Sequence, residues 1–240
     1  MNRRPQRPER CALPPAPHPA SWIITYYNKS MRFEDRVDAG KQLANKLKKF
    51  AGQNVVVFAL PRGGVVLGAE IAKALKAPLD LIITRKIGHP FSSEYAICAI
   101  TEDGDLICDE AERSEVGEVY IKEQLTAEMA EAKRRRQTYL GGRRPTSARD
   151  KIAIIVDDGI ATGLTMRAAI RDLKKRHATK VVVAVPVSPS DTAKILREEA
   201  DELVVLDIPH WYLGAVGAYY DDFEQVEDDE VISLLKITSK

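Results

Sequence analysis

The 240-residue chain has no apolar run long enough to cross a bilayer. Its longest, such as Val55 to Leu60 and Val181 to Val187, hold six or seven residues, where a spanning helix needs about 20. It also lacks an excess of either charge. Thirty-six basic and 35 acidic side chains leave a formal net charge of +1, which gives neither nucleic acid nor an anionic membrane a broad field to bind. The three cysteines, Cys11, Cys98 and Cys108, form no C-x-x-C pair and are too few to build a disulfide-held domain. They read as free thiols of a cytoplasmic protein. No secretory signal is legible, because Cys11-Ala12-Leu13 runs straight into Pro14-Pro15 where an apolar core would be needed. Two nucleotide-binding signatures are missing as well. Gly63, Gly64 and Gly68 do not fit G-x-G-x-x-G, and G-x-x-x-x-G-K-[ST] occurs nowhere.

What is present is enough apolar side chain, 45% of the composition, for one sizeable core with a small subdomain. The first twenty residues hold six of the thirteen prolines and four arginines, so residues 1–30 read as an extended or disordered tail and residues 31–240 as the folded domain. Phe33, Val37, Leu43, Leu47 and Phe50 recur at helical spacing. Val55 to Leu60 is a solid β-branched run ended by Pro61, the pattern of a strand buried on both faces of a parallel sheet. Helix and strand then alternate: helix over Gly64 to Lys76, strand over Leu79 to Thr84, strand over Ile152 to Val156, helix over Leu164 to Arg176. Strand over Lys180 to Val185, helix over Thr192 to Ala200, a short strand over Leu203 to Leu206 and a closing helix over Val231 to Ile237 complete the series. The class is α/β, a mostly parallel open sheet flanked by helices. Residues 85–151 interrupt the rhythm with an extended stretch at Tyr95 to Ile100, a turn at Asp103-Gly104, a short strand and a long charged helix. An insertion of that size reads as a functional loop or arm.

The chemistry gathers at strand ends. Ile154-Ile155-Val156 runs into Asp157-Asp158 and then into Gly159-Ile160-Ala161-Thr162-Gly163-Leu164-Thr165, a small-residue turn that opens a helix. Ligands of open α/β sheets collect at such carboxyl ends. The turn lets backbone N–H groups approach a phosphate, and the paired carboxylates can accept from two sugar hydroxyls. Together they point to a phosphorylated sugar, the plainer reading of Asp-Asp being a helix cap and its neighbour. Leu60-Pro61-Arg62-Gly63-Gly64 is a second glycine-opened strand end, which alone would pass for an ordinary strand–helix turn. Arg85-Lys86 places two cations after the second core strand, either as a solvated exit or as partners of an anion.

The segment Ala153 to Thr165 resembles the phosphoribosyl-pyrophosphate signature of the type I phosphoribosyltransferases, with Gly159 standing where an apolar residue or serine is often found. The resemblance extends over roughly residues 33–237 and is nearest to a poorly characterised bacterial and archaeal branch carrying Pro-Arg-Gly-Gly, Arg-Lys and Asp-Asp-Gly-Ile-Ala-Thr-Gly. It implies that Asp157 and Asp158 hold the ribose 2- and 3-hydroxyls and that Ala161, Thr162, Gly163, Leu164 and Thr165, with Gly159 and Ile160 leading in, cradle the 5-phosphate. It implies further that Arg62, Gly63 and Gly64 bind pyrophosphate, frequently through a non-proline cis peptide, and that Arg85 and Lys86 neutralise it as it leaves. Asp157, Asp158 and Lys86 are then the catalytic candidates. Magnesium is the implied cofactor, bound mainly through phosphoribosyl pyrophosphate (PRPP) and at most through Asp157 and Asp158. The implied reaction passes the phosphoribosyl group to a nitrogenous acceptor, in the simplest case a nucleobase, in a homodimer.

His89-Pro90-Phe91-Ser92-Ser93-Glu94-Tyr95 corresponds in position to the family's mobile loop. His89 is a candidate acid or base there, although a lone loop histidine is more often neither. A small hood over the sheet would draw on Trp22 to Tyr27 and on Pro209-His210-Trp211-Tyr212-Leu213, whose rings could stack on a planar base or simply pack. Tyr219, Tyr220 and Phe223 carry the same two readings. Lys133 to Arg136, with Arg143, Arg144 and Arg149, reads as the solvated face and exit of a long helix. Its alternative, nucleic-acid contact, is the only support for a PRPP-sensing regulator instead of an enzyme. Asp221 to Glu230 holds seven carboxylates, with Asp228, Asp229 and Glu230 placed to favour the positive end of the closing helix. Met31 directly precedes the first helical segment, which predicts translation from that residue. Mass spectrometry of the native N-terminus tests this, and any peptide from residues 1–30 contradicts it.

Overall fold

Solid apolar runs become strands covered on both faces. The computed structural model describes residues 31–237, without the side chains of 93 and 94; the expectations for residues 1–30, including hood residues Trp22 to Tyr27, lie outside the described residues. The chain runs α1 (Arg36–Leu47), β1 (Val55–Ala59), α2 (Gly63–Leu75), β2 (Leu79–Leu81), then the insertion, then β6 (Ile152–Val156), α5 (Leu164–Lys175), β7 (Lys180–Val187), α6 (Ser190–Glu199), β8 (Glu202–Asp207) and α7 (Asp228–Ile237). The main sheet has the order β2-β1-β6-β7-β8, every pair parallel. Strand residues alternate between two cores, as the period of two requires. Val55, Val57, Ala59, Ile154 and Val156 face α1, α2 and α7. Val56, Phe58, Ala153 and Ile155 face Met166, Ile170 and Leu173 of α5 and Leu196 of α6. No described helix is long and apolar enough to cross a membrane.

The insertion is a packed layer of its own. β3 (Thr84–His89), β4 (Ser92–Thr101) and β5 (Leu106–Cys108) form an antiparallel sheet, followed by α3 (Glu110–Val116) and α4 (Glu118–Leu140). Ile87, Ile97 and Cys98 bury against Ile121 of α4. Ala96, Ala99 and Ile107 bury against Leu164 and Ala168 of α5.

Three expectations are corrected. The second core strand stops at Leu81 and not at Thr84. The Ile82 N–H still donates to Ala59, but the Ile83 carbonyl already accepts from Glu102 of the second sheet, so these two residues are the joint between sheets. Cys98 and Cys108 are not free thiols. The turn at Asp103-Gly104 brings them opposite each other in the β4–β5 register with their Cα atoms 3.9 Å apart, and a disulfide joins them. The basic run is a solvated face at Lys133, Arg134, Arg144 and Arg149, which are exposed, but not throughout. Arg134 and Arg135 both pair with Glu131, while Arg136 turns inward to the Leu81 carbonyl and Glu102. Arg143 donates to the Leu79 carbonyl and faces Asp80. Arg136 and Arg143 cover the unpaired outer edge of β2, whose carbonyls would otherwise lack partners.

Glu102 is 7% exposed and lies 2.9 Å from Arg136 and 3.8 Å from Arg176. Burial outweighs both guanidinium groups, and Asp103 and Asp172 add repulsion, so the carboxyl is pushed up from 4.5 to about 7. A carboxyl that binds its proton more tightly when folded favours the folded state below its unfolded pKa and costs stability as pH rises through its folded one. Glu102→Gln should therefore flatten the fall in denaturation midpoint between pH 4.5 and about 7. A pH profile unchanged from that of the parent protein would contradict this.

Candidate active site at the sheet's switch point

The chain leaves β1 outward to β2 and returns on β1's other side as β6. The loops after β1 and β6 therefore diverge from neighbouring strands, opening the crevice in which α/β sheets bind ligands. They are stitched at the mouth by the Leu60 N–H, which donates to the Val156 carbonyl at 2.9 Å. The peptide between Pro61 and Arg62 is cis. Beyond it Gly63 and Gly64 open α2, and both approach the acidic pair too closely for a side chain. A Cβ on Gly64 would lie 2.7 Å from the Val156 carbonyl oxygen and 2.9 Å from the Asp157 Cα, and one on Gly63 would collide with Oδ2 of Asp158.

The second loop ends at Gly163, which holds φ +80° where a Cβ would stand 2.7 Å from Thr192. No side chain caps α5, which starts at the next residue, so its first amides have no capping partner from a side chain. The loop is braced from behind. The Ile160 N–H donates to the Val187 carbonyl at 3.0 Å, and Thr192 Oγ1 donates to the Ala161 carbonyl at 2.8 Å.

The two carboxylates sit in different fields. Asp157 Oδ1 accepts from the Asp158 amide at 2.9 Å. Burial first, and the Asp158 charge second, push the Asp157 carboxyl well above the usual range, while the Lys86 ammonium opposes them. Burial also raises Asp158, but Arg36 opposes it with both charge and a hydrogen bond, Nε to Oδ2 at 2.8 Å. The two carboxyls thus titrate as one pair, with a direct cation partner on Asp158 alone. Tyr220 donates to the Asp158 carbonyl at 2.6 Å. No cluster of three or more potential metal ligands occurs among the described residues.

Residues 27–222 match the sequence profile of the phosphoribosyl transferase domain. The chain belongs to that family. A Mycobacterium tuberculosis protein, provisionally described as a phosphoribosyl transferase in two strains, is 42% identical over 205 residues. The match takes in 85% of this chain but 46% of that protein, so the chain spans about half the length of these curated relatives. The crystal structure of TT1426 from Thermus thermophilus superposes with a TM-score of 0.73 at 35% identity, over 85% of this chain and 98% of that one.

Within this phosphoribosyl transferase fold, Arg62, Gly63 and Gly64 and the run from Asp157 through Gly159, Ile160, Ala161, Thr162, Gly163 and Leu164 to Thr165 lie on the two adjoining loops. Arg85 and Lys86 have different surroundings. As neighbours on β3 they point to opposite faces, and Arg85 is held by Glu128 of α4 at 2.6 Å while Lys86 is exposed. Arg62 reaches towards Asp228 and Glu227 at 3.6 and 3.8 Å, so the acidic run does more than favour the α7 dipole. His89 lies at the β3–β4 turn, accepting from the Phe91 N–H at 3.2 Å with its ring 5.5 Å from that of Phe91. Tyr219 and Tyr220 are core residues, whereas Trp211 is 83% exposed on the loop after β8. Arg36 is the site residue that sequence reasoning missed. It lies 122 positions from its partner, and no local motif announces it.

Gly64→Ala should destabilise the fold by about 1–3 kcal/mol, because the added methyl meets backbone that cannot yield. Gly52→Ala, where no atom lies within 4 Å of the new Cβ but φ is +78°, supplies the backbone-strain control. Equal losses at the two positions in chemical denaturation would contradict this assignment of a packed loop contact.

Proposed function

We propose that the crevice binds PRPP and transfers its phosphoribosyl group to a nitrogenous acceptor, releasing pyrophosphate. The observation that carries this reading is the pairing, at one switch point, of a glycine-opened anion turn with an uncapped helix start, the acidic pair standing between them. In this reading the amides of residues 161–165 take the 5-phosphate, Asp157 and Asp158 accept from the ribose hydroxyls, and Arg62, Gly63 and Gly64 take the pyrophosphate. Lys86, the cation opposite Asp157, faces the developing pyrophosphate charge, while Arg85 remains with Glu128.

Two carboxylates, one already paired with Arg36, are too small a donor set to hold a divalent cation unaided. Magnesium fits only as a companion of the donor's own oxygens, where it would supply further neutralisation of the pyrophosphate. The protein's part is positioning, electrostatics and exclusion of water. As the bond from C1 to the pyrophosphate oxygen breaks, the electron pair leaves with pyrophosphate. The acceptor nitrogen bonds to C1 from the opposite face and its proton passes to the departing pyrophosphate, whose oxygens have gained the electron pair. The loop side chains Ile160, Ala161, Thr162, Leu164 and Thr165 include no titratable group, so that proton is not taken by the phosphate loop. The exposed Trp211 ring suits a planar acceptor such as a nucleobase. Arg134, Arg135, Arg136 and Arg143 are each paired with a carboxylate of the chain, which takes weight from the nucleic-acid-binding alternative.

Magnesium and PRPP together should raise the melting temperature. At about 100 times the dissociation constant the gain is about 2.7 kcal/mol, or about 5–11 °C. The Asp157→Asn, Asp158→Asn double variant should remain folded and lose most of that shift. No shift in the folded parent protein, or an undiminished one in the double variant, would contradict the assignment.

A further inference from the structure

Arg36, the first residue of α1, has a side chain 11% exposed, and its guanidinium reaches two places at once. Nε donates to Asp158 Oδ2 at 2.8 Å. Nη1 donates to the Glu224 carbonyl at 2.6 Å, and the guanidinium carbon lies 3.8 Å from the centroid of the Phe223 ring. One contact is to the acidic pair; the other two are to the segment before α7 that overhangs it. A simple ion pair would need only the first.

The overhanging segment grips the same loop independently. Tyr220 bonds to the Asp158 carbonyl and its ring lies 4.9 Å from that of Phe223. Phe223 packs directly on Gly217, and Val216 fills the space where Gly159 would carry a side chain. On its other side the Asp158 carboxylate rests on Gly63. The chain thus brings an α1 cation, a hood aromatic, a carboxylate and the glycine turn after β1 into one line. A carboxylate has two acceptor oxygens. Arg36 engages Oδ2 and thereby fixes the direction in which Oδ1 is presented.

We propose that Arg36 is a positioning residue that couples the hood, residues 216–224, to the donor site by clamping the Asp158 carboxylate against Gly63. The proposal rests on the PRPP reading for its consequence and on the Arg36 contacts for its mechanism. Phe223 is still 36% exposed, so a planar acceptor that presses on it from the crevice is felt, through the guanidinium, at the carboxylate that orients the donor. Lysine cannot replace such a residue, because a point charge on a flexible stem neither stacks nor forks between two acceptors. Without any cation here, Asp158 is a buried charge lacking its counter-ion; it turns away, and the donor hydroxyl loses its acceptor.

Two measurements test this on the full chain. Calorimetric titration with magnesium and PRPP compares the parent protein, Arg36→Lys, Arg36→Met, Asp158→Asn and the Arg36→Met, Asp158→Asn double variant. Hydrogen exchange follows residues 216–224 in the same proteins without ligand. Arg36→Met should weaken PRPP binding by about tenfold or more, and the double variant should bind no more weakly than Asp158→Asn alone, since the two residues act as one. Arg36→Lys should recover part of the affinity but not the slow exchange of the hood. A purely structural role predicts instead that the losses from Arg36→Met and Asp158→Asn multiply and that faster exchange spreads over the whole chain; either result overturns the proposal. So does an Arg36→Met protein, or Arg36→Lys if Arg36→Met does not fold, with parental affinity and parental hood exchange. Absence of PRPP binding in the parent protein would overturn the donor reading, and hood exchange in the variants would still decide whether the clamp exists.

Discussion

Pairing of β1 with β6 is the constraint on which the rest depends. Five residues of each strand lie in parallel register, from Val55 opposite Ile152 to Ala59 opposite Val156, although 92 residues of chain separate Ala59 from Ile152. Because both strands are central and buried on two faces, their register is fixed by packing on both sides. Their carboxyl ends consequently finish level, and the turns that follow have one direction open to them. The glycines at 63 and 64 let the first turn close down on the second. The contact of the glycine turn with the two carboxylates follows from that level finish.

Burial and charge then divide the work of the acidic pair. Two carboxylates in one crevice cannot both stay ionised without compensation. Lys86 opposes the push on Asp157 without overcoming it, whereas Arg36 holds Asp158 at hydrogen-bond distance. The same guanidinium is stacked on Phe223, so the charge balance of the loop depends on an aromatic ring in the overhanging segment. Fold and electrostatics meet at one residue of α1.

Much of this was legible in the sequence, for reasons that can be named. Val55 to Leu60 and Ile152 to Val156 are apolar without interruption, which only a doubly covered strand needs. Asp157 to Thr165 puts carboxylates, small residues and a helix start in one unbroken stretch, so local chemistry suffices to mark it. What stayed hidden depends on contacts between distant segments. The Cys98–Cys108 bridge needs the β4–β5 register, which residue spacing does not state. The inward turn of Arg136 depends on β2 being an edge strand. Arg85 and Lys86 look equivalent as a dipeptide and become opposites once β3 is a strand. Arg36 belongs to an ordinary amphipathic helix until α1 is laid beside the β6 loop.

The central claim is that one crevice holds both phosphate ends of a single donor, and phosphorus NMR of PRPP titrated with the protein in magnesium tests it most directly. The 5-phosphate and both pyrophosphate resonances should broaden or shift together, and with the Asp157→Asn, Asp158→Asn protein all three should stay close to their free positions. Perturbation of one phosphate end alone, or of none, would contradict the account.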